Sequence, residues 1–221
     1  MKRESFSILL VAVLCLMGTK ALAYDIAVEN ADGVTIYYNY FHDRPELEVT
    51  YMKINHATKS YSGAVVIPEE VTLMNKTWKV TSIGERAFDR CSDLTSVTIP
   101  SCVTSIGPQA FQDCSGLTSV TIPSNATSIG QWAFHGCSGL NSIIVEDGNT
   151  VFDSRNDCNA IIETSSHLLV AGCKNTVIPS NVTSIGWMAF EGCSGLASIT
   201  IPSNVTKIEG GAFRGYFHWI Q

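Results

Sequence analysis

Glu163, Ser166 and His167 place a carboxylate, a hydroxyl and an imidazole within five consecutive positions. These are the groups of a nucleophilic hydrolase, which needs them converging in space beside donors for an oxyanion. In NAIIETSSHLLVAG they fall at the tip of a predicted β-hairpin, where neighbouring side chains diverge, and no G-x-S-x-G elbow occurs. They read as a polar turn, and the chain as a non-enzyme. Asp147, Asn149, Asp153, Asn156 and Asp157 gather oxygens of the kind that hold Ca²⁺. They lack the alternate spacing and terminal Glu of an EF-hand and read as a solvated loop. With no Cys-x-x-Cys, zinc has no framework either. No metal or organic cofactor is expected.

The cysteines carry a different message. Cys91, Cys114 and Cys137 are spaced by 23, as are Phe88, Phe111 and Phe134, and Gly84, Gly107 and Gly130. The register then jumps by 56 to Gly186, Phe190 and Cys193, and Phe213 follows Phe190 by 23. A fixed period in this range marks a solenoid of stacked rungs. The periodic thiols then share one interior position, a column of small hydrophobes rather than a metal or disulfide set. Cys158 and Cys173 stand apart. They flank the hairpin symmetrically about Ser165-Ser166, so a cross-strand disulfide is the alternative to two free thiols.

Each rung can be parsed. In LTSVTIP, Leu94, Val97 and Ile99 point inward while Thr95, Ser96 and Thr98 face out, a β-strand that Pro100 ends. Val103 and Ile106 bracket a bend. Gly107 then suits a tight turn at positive φ. Ala110-Phe111-x-x-Cys114 places apolar residues three apart, as on one helical or 3₁₀ turn. A lone rung cannot bury its apolar face, which is why the unit repeats.

The string L-x-S-V-x-I-P-x-x-V-T-S-I-G-x-x-A-F-x-x-C-S-G, carried by Leu94 to Gly116 and Leu117 to Gly139, resembles the BspA-like leucine-rich repeat family. The resemblance implies a leucine-rich-repeat solenoid, mainly β with short helical or 3₁₀ turns and a parallel sheet on one face. It also implies an exported or surface-displayed interaction protein, adhesin-like in some members, without catalytic residues. The block from about 146 to 176 resembles an insertion common in such proteins. Against a typical member the chain has few rungs and ends at RGYFHWIQ without a wall anchor.

The remaining segments fit this frame. Residues 1–23 read as a cleaved signal peptide, with Lys2 and Arg3 before an apolar run and Ala21-Leu22-Ala23 at the cleavage site. Cleavage leaves 11 basic and 19 acidic residues, a charge of -8, with no transmembrane segment to follow. Without a basic cluster the chain lacks the footprint of a nucleic-acid binder. Residues 24–60, with runs GVTIYYNY and ELEVTYMKI, read as an N-terminal β-hairpin cap on a solenoid spanning 61–221.

Two surfaces are candidates for a protein or glycan ligand. One is the hydroxyl-rich outer strand face, led by Thr95, Thr98, Thr118 and Thr121; the same residues also suit a hydrated parallel sheet. The other is the pair Trp132 and Trp187 beside the glycine turns, which either anchor a partner or cover a rung's flank. The insertion, Asp147 to Cys173, would help set partner choice. Trp219 and Ile220 either fold back as a crude cap or leave an edge for self-association.

Overall fold

The structure is a computed structural model and describes residues 24–52 and 60–215. Its first three strands, β1 (Ile26–Glu29), β2 (Thr35–Tyr40) and β3 (Glu46–Thr50), form an antiparallel unit in chain order. β4 (Gly63–Val66) opens the first rung. β5 (Glu70–Leu73) and β6 (Lys76–Ile83) form a hairpin whose turn residues, Met74 and Asn75, both have positive φ. This hairpin accounts for the longer interval between Pro68 and Pro100. β3 runs parallel to β6, joining the cap to the array.

Each regular rung then contributes one long and one short strand. The long ones are β7 (Leu94–Thr98), β9 (Ser119–Ile122) and β11 (Ser142–Val145), alternating with the two-residue strands β8 (Ser105–Ile106) and β10 (Ser128–Ile129). The insertion supplies β12 (Phe152–Asp153), β13 (Ala160–Glu163) and β14 (Leu168–Gly172), followed by the short strands β15 (Ser184–Ile185) and β16 (Lys207–Ile208). Among the long strands β4 pairs with β7 and β9 with β11, all parallel. The V-T-S-I-G stretch, read as a bend, builds a second parallel column, β6-β8-β10, on another side of the rung.

The closing segment of each rung is a chain of i→i+3 turns of the 3₁₀ kind, such as Ala87 N–H to Gly84 O and Cys91 N–H to Phe88 O. It also forms a ladder, with Phe88 N–H donating to Ala110 O and Phe111 N–H to Ala133 O in the next rung. The residue two after each of Gly84, Gly107 and Gly130 has positive φ (Arg86, Gln109, Trp132), but these glycines do not. The expected reason for Gly107 is therefore corrected. A Cβ on Gly107 would lie 2.7 Å from Glu85 N, and one on Gly130 2.3 Å from Pro108 N. Gly107 and Gly130 are there because successive rungs touch backbone to backbone, whereas a Cβ on Gly84 would meet the Glu48 side chain of the cap at 2.8 Å.

Inside, Phe88, Phe111 and Phe134 stack nearly parallel, with ring centroids 4.9 and 5.3 Å apart. Tyr61 and Tyr37 continue the column into the cap. Phe190 and Phe213 form a separate stack at 5.1 Å, in a second core cluster. The spine breaks at the insertion.

The thiols are buried with it. Cys114 Sγ donates to Phe88 O and Cys137 Sγ to Phe111 O. Burial pushes the Cys137 thiol up to about 12. The disulfide considered for Cys158 and Cys173 is not formed, and both are free. A bulge between Ile161 and Ile162 shifts the hairpin register, pairing Ala160 with Gly172. By that register Cys173 stands opposite Asn159, and its Sγ donates to Asn159 O. The one-residue slip sends the two thiols apart: Cys158 joins the second core cluster and Cys173 the first.

Candidate functional site

The break in the spine opens a cleft of about 570 Å³, within the size range of small-ligand pockets. Its first wall is the last regular rung, from Thr127 to His135. The second comes from the insertion (Glu163, Leu168, Val170) and from Gly186 to Ala189 beyond it. The cleft is a wedge. On the turn side Gly136 N–H still donates to Glu191 O, and a Cβ on Gly192 would lie 2.7 Å from Gly136 Cα. On the short-strand side β14 stands next to β15, and no strand pairs with the outer edge of β10 among the described residues.

Trp132 and Trp187 both line this cleft, 38% and 52% exposed. They are not equivalent by repeat position. Trp132 takes the left-handed site two residues after Gly130, at φ 60, where a bulky side chain strains the backbone by about 1–2 kcal/mol. Trp187 follows Gly186 directly and packs on the next rung, within 3.0 Å of where a Gly210 Cβ would be. Both therefore line the cleft while remaining partly exposed.

At the closed end of the wedge, His135 Nε2 lies 2.9 Å from Glu191 Oε2, although the ring N–H is not aimed at that oxygen. Arg214 Nε is 3.8 Å from Glu191 Oε1. These residues share one repeat position, directly after the spine phenylalanine, in the series Asp89, Gln112, His135, Glu191 and Arg214. Glu163 and Glu209 add carboxylates to the lining. Glu209 is paired with Lys207 at 2.6 Å, and Glu163 accepts from Ser166 Oγ.

The other sequence candidates lie elsewhere. Thr95, Thr98, Thr118 and Thr121 are exposed on the long-strand side, away from the tryptophans. Thr118 Oγ1 donates to Thr95 O at 3.3 Å, so the array itself uses that hydroxyl. The face is interrupted, because residues 197–200 form no strand. Ser166 bonds Glu163 directly, and His167 Nδ1 is buried with no hydrogen-bond partner among the described residues. That is not the order of a catalytic triad. Asn149 is a loop organiser, accepting from Val151 and Phe152 N–H and donating to Pro123 and Ala126 O. Asp153 pairs with Arg155. Among the described residues no His, Cys, Asp and Glu cluster could hold a metal, and no helix is long and apolar enough to cross a membrane. Trp219 and Ile220 lie outside the described residues.

The sequence pattern of the BspA type Leucine rich repeat region matches six copies over residues 69–165 and 160–219. Among solved structures, a leucine-rich repeat protein from Bacteroides ovatus ATCC 8483 is 30% identical with a TM-score of 0.47, the match covering 78% of this chain and 35% of that one. The T. pallidum leucine rich repeat protein is 26% identical at a TM-score of 0.46, covering 81% and 64%. A leucine rich cell surface protein from Faecalibacterium prausnitzii A2-165 is 20% identical at 0.36, covering 84% and 73%. The chain thus spans about a third of the Bacteroides protein and under two thirds of the T. pallidum one. No protein of curated function matches it.

Proposed function

The chain belongs to the BspA-type leucine-rich repeat family, whose members are interaction modules rather than a catalytic family, and on that premise we propose that it is an exported, surface-associated protein binding an extracellular protein or glycan in the cleft between Trp132 and Trp187. One observation carries the reading. Two exposed tryptophans from non-equivalent repeat positions line one cavity, at the single place where the insertion parts the rungs. Tryptophan is enriched among the anchors of binding surfaces. The threonine face, with Thr95, Thr98, Thr118 and Thr121, would be a secondary contact at most, since the array uses part of its hydrogen-bonding capacity.

The test is a panel of host matrix proteins, glycans and bacterial surfaces probed with the mature chain and with a Trp132→Ala, Trp187→Ala variant. Binding that the double substitution abolishes is expected; no binding anywhere, or binding it leaves intact, would refute the proposal. A second reading, end-to-end self-assembly, draws on Ile201 and Ile208, 41% and 48% exposed at the last described rungs. It predicts oligomers that grow with concentration in light scattering and vanish on Ile201→Ser, Ile208→Ser; a monomer at all concentrations removes it.

A further inference from the structure

The short strands relay hydrogen bonds from rung to rung. Thr104 N–H donates to Thr81 O and Gly107 N–H to Ile83 O; one rung on, Thr127 N–H donates to Thr104 O and Gly130 N–H to Ile106 O. Beyond the insertion the relay resumes, with Thr183 N–H to His167 O and Gly186 N–H to Leu169 O. Between these stretches it stops. Among the described residues no N–H donates to Thr127 O or Ile129 O, the two carbonyls that should pass the pattern on. Ile83, Ile106 and Ile185 hold the same repeat position and are buried, whereas Ile129 is half-buried and its neighbour Ser128 is exposed. The edge of β10 is therefore unpaired and faces the cleft.

We infer that this edge takes an extended peptide segment of another protein, which pairs with Thr127 to Ile129 as the missing short strand. The inference rests on the cleft being the binding site proposed above and adds the class of ligand. A parallel-ladder edge alternates acceptors and donors, so its full complement is another backbone. The cleft has walls on both sides, β10 and β14, so a single strand enters where the sheet edge of a second copy does not. Trp132 and Trp187 flank the path and would hold the side chains that point out of the ladder. Glu163 on the wall, in a chain of formal charge -6, selects neutral or basic segments over acidic ones. Sugar hydroxyls could also reach the carbonyls, but they have no reason to follow the two-residue period of the edge.

The test uses the mature chain and a display library of octapeptides with blocked ends. The best binder is resynthesised with single N-methyl groups at each position and titrated calorimetrically. Methylation at alternate positions is expected to weaken binding about tenfold or more, and at the intervening ones less than about twofold. The Trp132→Ala, Trp187→Ala variant should lose about tenfold or more for the unmethylated peptide. A flat methylation profile overturns the inference, as does the absence of any peptide binder or self-association through the cleft. A glycan ligand lost on the tryptophan substitutions, with no peptide bound, would also overturn it while leaving the cleft as the site. Ligands indifferent to those substitutions would overturn both readings.

Discussion

Phe111→Ala is expected to be the most damaging single truncation in the regular rungs. Its ring is fully buried and stacked on both faces, 4.9 Å from Phe88 and 5.3 Å from Phe134. Lost transfer free energy accounts for about 2–3 kcal/mol, and each stacked contact adds about 0.5–1.5 kcal/mol. With partial collapse of the cavity, the net cost is about 3–5 kcal/mol. Thr118→Ala, on the exposed strand face, removes one surface hydroxyl bond to Thr95 O and should cost under about 1 kcal/mol. Phe213→Ala, in the stack with Phe190, has one ring partner among the described residues and should fall between them. Urea denaturation of the protein, followed by circular dichroism, gives all three numbers. Phe111→Leu, expected to cost about 1–2 kcal/mol, keeps the comparison possible if the alanine variant does not fold. Equal penalties at Phe111 and Thr118 would refute the stacked-spine reasoning.

Gly107→Ala should destabilise by about 1–3 kcal/mol, because its Cβ would meet the Glu85 and Gly84 backbone rather than an adjustable side chain; a neutral effect in the same melts would count against backbone-to-backbone stacking. In alkylation at pH 8, Cys102 should react first, being the one described cysteine that is not buried; burial holds Cys137 and Cys193 up at about 12 and Cys158 at about 11. Early modification of the interior thiols, read by mass spectrometry, would contradict their placement. Burial, only partly offset by a hydrogen bond with Asn39, raises the Glu48 carboxyl above its usual 4.5. The folded state therefore favours the protonated acid, and this contribution is present below about 4.5 and lost as pH rises through the folded value. Glu48→Gln should match the parent at pH 4 and melt higher than it at pH 7; a gap that does not change with pH would be the contrary result.

The rungs were legible in the sequence because their apolar positions recur at one interval, and Phe88, Phe111 and Phe134 do line up as that interval requires. Local readings failed where a neighbouring rung decides the geometry. Gly107 reads from its own rung as a torsional requirement, yet the crowding there, and at Gly130, comes from the backbone of the preceding rung, about 23 residues away. Ser105-Ile106 and its counterparts are too short to register as strands alone and exist only as a column. The cross-strand pairing of Cys158 and Cys173 failed on a single bulge, which no symmetric count reveals. The cleft was hidden for a related reason. Trp132 and Trp187 occupy different repeat positions and line one cleft only because the insertion displaces a rung. A signal for His135, Glu191 and Arg214 was present, since all directly follow a spine phenylalanine, and reading that column would have found them.

Hydrogen–deuterium exchange, resolved by residue, tests most directly whether the array is interrupted at β10. Ile106 and Ile129 hold the same repeat position and pair with each other, and by the ladder's alternation each amide points toward the following rung. Ile106 has that rung and Ile129 does not. The Ile106 amide should be protected at least about a hundredfold more than the Ile129 amide, in keeping with the span between core and exposed amides. Equal protection at the two positions would mean that the rungs close without a gap, and the cleft would not exist.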